Sequence, residues 1–403
     1  MSFRVVRDVN VDTSKTSQLQ VIPMVTTPQT TKGSISLDTT VNTFYGIANQ
    51  GTVPISNSVL STLSTGVTPA GIAILPNGTK AYVANNNNYG ATYEGGAACD
   101  SVTVISLAGP FPIVTKTITD ASFNQPYTVT ISLDGTKAYV TNSNGATITI
   151  INTSSDTVTG TISGFDGPSG MVITPNGTTG YVNNYGGPIA GSGNGHTVSV
   201  VDLNLNTIIN TIMVGQAPAA IAILPNGSYV YTVNYITGVV NGTISVINTS
   251  NNTSIVNAMG GLAGPFGIAI TPNGLTACVT NFGSNNFSPF GTTLSIISLS
   301  TPTAPVITHT ITLGIQPSGV AITPNGLWVY VSNYNTLYMD NVHFTGLTAG
   351  QGIVNAINLS TLEISPVNIV VGQSPNFIAI TPNGDTAFVS NFTSNTVSVL
   401  ALI

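Results

Sequence analysis

Charge is what this sequence has least of. Lysine and arginine number 7, aspartate and glutamate 13, and together they make up 5% of the chain, where a soluble domain ordinarily carries about a quarter. The basic residues also stop early. Arg4, Arg7, Lys15 and Lys32 fall in the first 32 positions, Lys80, Lys116 and Lys137 follow, and none comes later. Residues 51–403 therefore set 3 basic against 10 acidic groups, a formal net of −7. A body of that sign repels phosphate backbones, and the first fifty residues hold no basic cluster, which argues against nucleic acid as a partner.

Other scarcities exclude further classes. No apolar run approaches the length of a membrane span, and Met1 to Asp8 has no continuous apolar segment behind it, so no secretory signal is recognisable. With three histidines and two cysteines in 403 residues, neither a zinc cage of three or four converging ligands nor a disulfide framework is within easy reach.

What is abundant is a hairpin written seven times. Its plainest copy runs from Ile131 to Asn142: branched apolar residues, Asp134-Gly135, then Tyr139-Val140-Thr141-Asn142. The other copies carry Pro76-Asn77-Gly78, Pro175-Asn176-Gly177, Pro225-Asn226-Gly227, Pro272-Asn273-Gly274, Pro324-Asn325-Gly326 and Pro382-Asn383-Gly384. Asp-Gly or Asn-Gly between β-prone runs predicts a two-residue turn with positive φ. Each return strand ends in asparagine, and the turns recur every 42 to 58 residues, the period of a four-stranded propeller blade with variable loops.

The expectation is an all-β, seven-bladed β-propeller of four-stranded antiparallel blades over residues 51–403, preceded by an N-terminal extended arm, residues 1–50, able to assemble or dock as an added strand on a neighbouring subunit. The last repeat stops at Thr396 to Leu400 after its third strand. Asn57 to Gly66 leads into Pro69 as Asn206 to Gly215 leads into Pro218, so the N-terminal segment is expected to pair with the C-terminal blade and close the ring. Cys278 replaces a strand tyrosine in the fifth blade while Cys99 lies in a loop of the first, too far apart to bridge.

Connections between second and third strands expand in four blades, at 85–100, 184–196, 281–293 and 333–353, and propeller geometry places them all on one face. They carry Tyr89, Tyr93, Tyr185, Phe282, Phe287, Phe290, Tyr334, Tyr338, His343 and Phe344. Aromatic residues on loops above a rigid scaffold make a candidate binding or assembly face, or else tuck down and pack the loops onto the ring.

The tetrapeptide Tyr139-Val140-Thr141-Asn142 and the surrounding Pro-x-Gly-Ile-Ala-Ile-Thr-Pro-Asn-Gly pattern resemble the YVTN β-propeller repeat family over roughly 350 residues. That resemblance implies the propeller fold and kinship with archaeal surface-layer and other cell-envelope proteins. Some relatives in such a family are enzymes or bind macromolecules, so the resemblance alone leaves function open.

For an enzyme, the hub is poorly furnished. Inner-strand segments such as Gly71 to Leu75 and Phe377 to Thr381 hold no charged residue or histidine, so carboxylates for a hard cation are missing. His196 and His343 fall on loops, His309 on an outer strand, and neither Asp340 nor Asp202 completes a cluster with them. No Gly-x-Ser-x-Gly elbow occurs. No catalytic, metal or cofactor residue is expected. The terminal asparagines of the second strands are expected to be structural, tolerating left-handed backbone or bonding main chain.

Asn-x-Ser/Thr patterns occur eleven times, about the number chance would give in so Asn-, Ser- and Thr-rich a chain. Those at Asn77, Asn152, Asn176, Asn226, Asn248, Asn251, Asn252 and Asn358 fall on the face opposite the long loops and are the candidate glycosylation sites. With few carboxylates to protonate, the body should tolerate acid. The leading expectation is a non-catalytic structural protein of an extracellular surface or virion, partnered with itself or other surface proteins through its arm and looped face. The alternatives are a receptor- or carbohydrate-binding adhesion module and a propeller hydrolase or lactonase.

Overall fold

The computed structural model describes residues 57–87, 100–186, 195–235, 242–283, 290–334 and 351–403 in full, and before them the strands Leu19–Val21, Gly33–Asp38 and Thr43–Gly46. The chain divides into two compact units, Met1–Ile55 and Ser56–Ile403. In the first, the three strands form an antiparallel meander, with Leu19 opposite Ile35 and Ile35 opposite Gly46. The strand-prone pieces of the arm are thus paired with one another.

The second unit is a seven-bladed β-propeller of four-stranded antiparallel sheets. The inner strands are Pro69–Ile74, Pro126–Ile131, Pro168–Ile173, Pro218–Ile223, Pro265–Ile270, Pro317–Ile322 and Pro375–Ile380, each beginning on a proline that needs no ladder partner at that point. They follow one another around the axis, and the seventh packs on the first. The last blade takes its outer strand from Ser58–Ser64, which pairs with Thr396–Ala401 in the register Ser58 to Ala401 and Ser64 to Thr396. The ring closes as the chain order requires.

The first hairpin of each blade differs from the expected two-residue turn. In the first blade Leu75 N donates to Lys80 O and Gly78 N to Leu75 O, so four residues, Pro76 to Thr79, make the connection. Only the glycine takes positive φ, between 70° and 82° at all seven positions, while the asparagine stays right-handed. Proline at the second position pre-sets the turn, and the asparagine Oδ1 accepts from the backbone two residues on, as from Thr79 N at 3.1 Å.

Blades are glued face to face by alternating side chains. Tyr82, Tyr139, Tyr181, Tyr231, Cys278, Tyr330 and Phe388 hold one equivalent position and are all buried. Several tyrosine hydroxyls cross to the next blade: Tyr181 donates to Asn252 Oδ1 at 2.7 Å, Tyr231 to Pro302 O at 2.9 Å, Tyr330 to Asn57 Oδ1 at 3.0 Å, and Tyr82 to Asp156. Lys80 Nζ joins Asp156 at 2.9 Å, the one ion pair among the described residues. Burial pushes the Cys278 thiol up to about 12, leaving it a protonated core side chain; Cys99 lies outside the described residues.

The terminal asparagines are structural, by a different route from the one expected. None of the seven has positive φ. Instead each side chain bridges to the third strand of its own blade. Asn85 Nδ2 donates to Ser101 and Thr103, Asn142 to Thr147 and Thr149, Asn184 to Thr197 and Ser199, and the same holds at Asn234, Asn281 and Asn391, all between 2.8 and 3.1 Å. Asn333 uses Ile353 O and Asn355 Oδ1. Each clamp holds two strands together where the connection between them leaves the sheet, whether that connection is long or, as after Asn142 and Asn391, short.

Candidate functional site

The residue after each clamp asparagine sits at the mouth of the central channel on the looped face. Going round, these are Asn86, Ser143, Tyr185, Tyr235, Phe282, Tyr334 and Phe392. Each donates its backbone N–H, at 2.9 to 3.1 Å, to the carbonyl of the residue just before an inner-strand proline: Thr68, Gln125, Gly167, Ala217, Gly264, Gln316 and Ser374. Those acceptors all have φ between 48° and 58°. A left-handed residue there swings the chain from an outer strand into the axis, and it is non-glycine in five blades, a strained arrangement that the ring enforces.

Five of the seven collar positions are aromatic, and they meet three rings from the inner strands, Tyr127, Phe266 and Phe377. Centroid separations are 5.2 Å for Phe266 and Phe282, 5.8 Å for Phe282 and Tyr334, 6.1 Å for Tyr334 and Phe392, 6.4 Å for Phe266 and Phe377, and 5.5 Å for Tyr127 and Phe377 edge to face. Tyr185, Tyr235, Phe266, Phe282 and Tyr334 form one apolar cluster. Burial raises the pKa of Tyr127 above the phenol range, and the neighbouring phenols of Tyr185, Tyr334 and Tyr235 push it further the same way. Four phenol groups from different blades therefore share one volume, and Tyr127 stays protonated in it.

Beneath this layer lies a cavity of about 200 Å³ along the channel, walled by Tyr127, Phe266, Phe377 and the inner-strand side chains from Ile72 to Ile378, none of them charged. Hydroxyls on the wall, at Thr128 and Thr130, and just behind it, at Ser169, Thr280 and Ser332, are turned sideways into neighbouring blades. Thr128 Oγ1 donates to Ser169 O at 2.9 Å, Thr130 Oγ1 to Met171 O at 2.9 Å, Ser169 Oγ to Pro218 O at 3.0 Å, Thr280 Oγ1 to Ser318 O at 2.7 Å and Ser332 Oγ to Asn376 O at 2.9 Å. Among the described residues no three His, Cys, Asp or Glu gather as metal ligands would.

The gap in the aromatic collar, at the first two blades, is polar. Asn86 Nδ2 donates to Pro126 O at 3.2 Å and Ser143 Oγ to Gln125 O at 3.1 Å. Asp100 Oδ2 accepts from Gln125 N at 3.1 Å, while Asp100 Oδ1 and Gln125 Oε1 are buried with no donor. Burial raises the Asp100 pKa and the Gln125 N–H opposes that rise.

Of the face residues read from the sequence, Tyr185, Phe282 and Tyr334 are brought together in this collar, buried or half-buried against one another rather than standing free. Phe290 pairs opposite Gly283 in the fifth blade. Tyr89, Tyr93, Phe287, Tyr338, His343 and Phe344 lie outside the described residues. Tyr127, Tyr235, Phe266, Phe377 and Phe392 were missed. The signal for Tyr235 and Phe392 was present in the sequence, as an aromatic residue directly after the repeated asparagine.

The candidate glycosylation positions sort by geometry. At Asn77, Asn152, Asn176, Asn226, Asn248, Asn251 and Asn358 the side-chain Oδ1 accepts from the hydroxyl two residues on, at 2.6 to 3.0 Å. Asn252 instead accepts from Tyr181. Asn391, which has the acceptor pattern too, is fully buried with its amide nitrogen engaged in the clamp, so that position is unavailable for modification.

No protein-family model matches the chain. A stretch of 59 residues is 44% identical to PE-PGRS family protein PE_PGRS18 of Mycobacterium tuberculosis (strain ATCC 25618 / H37Rv), covering 15% of this chain and 13% of that protein. Among solved structures, Kuenenia stuttgartiensis hydrazine synthase superposes with a TM-score of 0.64 at 17% identity over 84% of this chain and 97% of that one. That likeness concerns the fold, and it shows that a propeller of this form can be part of an enzyme.

Proposed function

We propose that this protein is a non-catalytic structural component of an exposed surface, a cell envelope or a virion, that joins copies of itself or other surface proteins through its looped face and first 55 residues. The observation that carries the reading is where the polar groups go. Hydroxyls on the wall and just behind it are consumed in carbonyl contacts between blades, each clamp asparagine ties two strands, and strand tyrosines tie one blade to the next. Apart from Asp156, which takes Lys80 and the Tyr82 hydroxyl between the first two blades, these contacts are neutral hydrogen bonds, which depend little on salt or on carboxylates that acid would protonate. The resemblance of the repeats to the YVTN β-propeller family points the same way.

The test is direct. Purified protein is imaged and sized by light scattering, at neutral and acidic pH, beside a form lacking residues 1–55. Sheets, filaments or particles that disappear on truncation are expected. A monomer whose behaviour is indifferent to truncation, or hydrolysis of a lactone or ester panel well above background, overturns the reading.

A further inference from the structure

We propose that four asparagines on the face opposite the long loops, Asn77, Asn176, Asn226 and Asn251, are acceptors of N-linked sugar. Each stands exposed on a hairpin turn and begins an Asn-x-Ser/Thr pattern with no proline in it.

The state of these side chains is the first argument. Oδ1 takes two bonds from the residue two places on, one from its backbone N–H at 3.0 to 3.2 Å and one from its hydroxyl at 2.7 to 3.0 Å. Two donors on one amide oxygen draw electron density away from nitrogen and make its protons more acidic. Among the described residues no acceptor engages the four Nδ2 groups. The nitrogen is polarised and left to solvent. By contrast Asn391, with the same pattern, is fully buried and its nitrogen is held by Thr396 and Ser398.

The second argument is a comparison inside the ring. The fifth and sixth blades make the same first turn with Asn273-Gly274-Leu275 and Asn325-Gly326-Leu327. There the N–H groups of Leu275 and Leu327 donate to the asparagine Oδ1 at 3.0 Å, so the turn closes without a hydroxyl. Both leucines are exposed, and the fold takes an apolar residue there as it takes an alcohol. The hydroxyls of Thr79, Thr178 and Ser228 are therefore not required by the turn they sit on.

The reaction needs a glycosyl transferase and a sugar carried on a lipid diphosphate. Nδ2 attacks the anomeric carbon, the carbon–oxygen bond to phosphate breaks, and the lipid diphosphate leaves with the bonding pair. The Nδ2 proton passes to a base of the transferase, and nothing is oxidised or reduced.

The test maps the protein isolated from its native source, intact and after chymotryptic digestion, by mass spectrometry with electron-transfer fragmentation. A mass above the 41.2 kDa of the bare chain is expected, with sugar at the four positions and none at Asn273, Asn325 or Asn391. Expressed in the same cells, Thr178→Ala keeps the turn as Leu275 does and should lower occupancy at Asn176 at least about 10-fold, with Asn77 and Asn226 unchanged. Leu275→Thr should bring Asn273 into use, and circular dichroism checks the fold of both variants. A bare chain overturns the proposal. So does sugar on Asn273 or Asn391 to the extent found on Asn176, or an Asn176 occupancy unmoved by Thr178→Ala. Removal of residues 1–55 tests assembly and leaves these turns in place, so the two readings fail separately.

Discussion

The two openings of the channel are made by the same seven repeats and end up built on opposite terms. At the plain end the positive φ of each first turn falls on glycine, and each turn proline lies against the glycine of the next blade: a Cβ on Gly274 would stand 3.3 Å from Pro225, and one on Gly326 3.3 Å from Pro272. At the looped end the equivalent left-handed positions fall on Thr68, Gln125, Ala217, Gln316 and Ser374 in five of seven blades, at a cost of about 1–2 kcal/mol each. The plain end is relaxed and repetitive; the looped end holds strain under a layer of rings. Departure from the cheap solution marks the end where something other than closure has shaped the sequence.

The largest effect that sharpens this contrast is alkaline. Phenols at both ends, Tyr82, Tyr181, Tyr231 and Tyr330 between blades and Tyr127 and Tyr185 at the looped mouth, have pKa values raised by burial above the free value of 10.0. A raised folded pKa means the fold holds the proton more tightly, so this stabilisation is complete below pH 10.0 and is lost as pH climbs beyond it. Unfolding should coincide with tyrosinate absorbance rather than follow it. On the acid side Asp100, raised by burial, favours the fold when protonated, while exposed Asp134, lowered mainly by the Ser132 hydroxyl, loses its small contribution as pH falls below 3.8. Thermal melts at pH 3 and pH 7 should therefore differ far less than melts at pH 7 and pH 12.

Next in size is Phe282→Ala in the collar, where emptying a buried ring should cost about 3–4 kcal/mol in denaturant unfolding; a loss below about 1 kcal/mol would mean the rings are not packed and the contrast is false. At the plain end Gly227→Ala places a Cβ 2.6 Å from Pro175 at a φ of 75°, which should cost about 2–3 kcal/mol. Its internal control is Gly177→Ala, with φ 74° and open space around it because the second blade has Leu133 where the others have proline; strain alone predicts about 1 kcal/mol. Equal losses at the two would dissolve the interlocking of turns. The smallest change runs the other way: Thr68→Gly removes a β-branched residue from φ 48° and a buried hydroxyl with no partner, and should stabilise by about 1 kcal/mol.

The ring was legible because its determinants are local or arithmetical. Asn-Gly after proline announces a hairpin within four residues, and a final repeat one strand short has only Ser58–Ser64 left to complete it. The turn's internal geometry was misjudged because Asn-Gly serves both two-residue and four-residue connections, and the proline that favours the longer one is present in six blades but not in the second, which makes the same turn with Leu133. The clamps escaped because Asn281 and Ser295 are separated by a connection of variable length. The channel mouth escaped for a deeper reason: Tyr127 of the second blade and Phe377 of the seventh touch past the first blade, far apart in the chain, and no period within a repeat encodes a contact made between repeats.

The closing strand has a mechanical consequence. Ser58 lies opposite Ala401 and Ser64 opposite Thr396, so the two ends of the wheel leave from the same end of one antiparallel pair. Tension applied between them would load the rungs singly, opening the seam like a zip, whereas tension through one end and a lateral contact would load the ladder in parallel. Under load the wheel is therefore best held through one strand of the seam, with the other left slack.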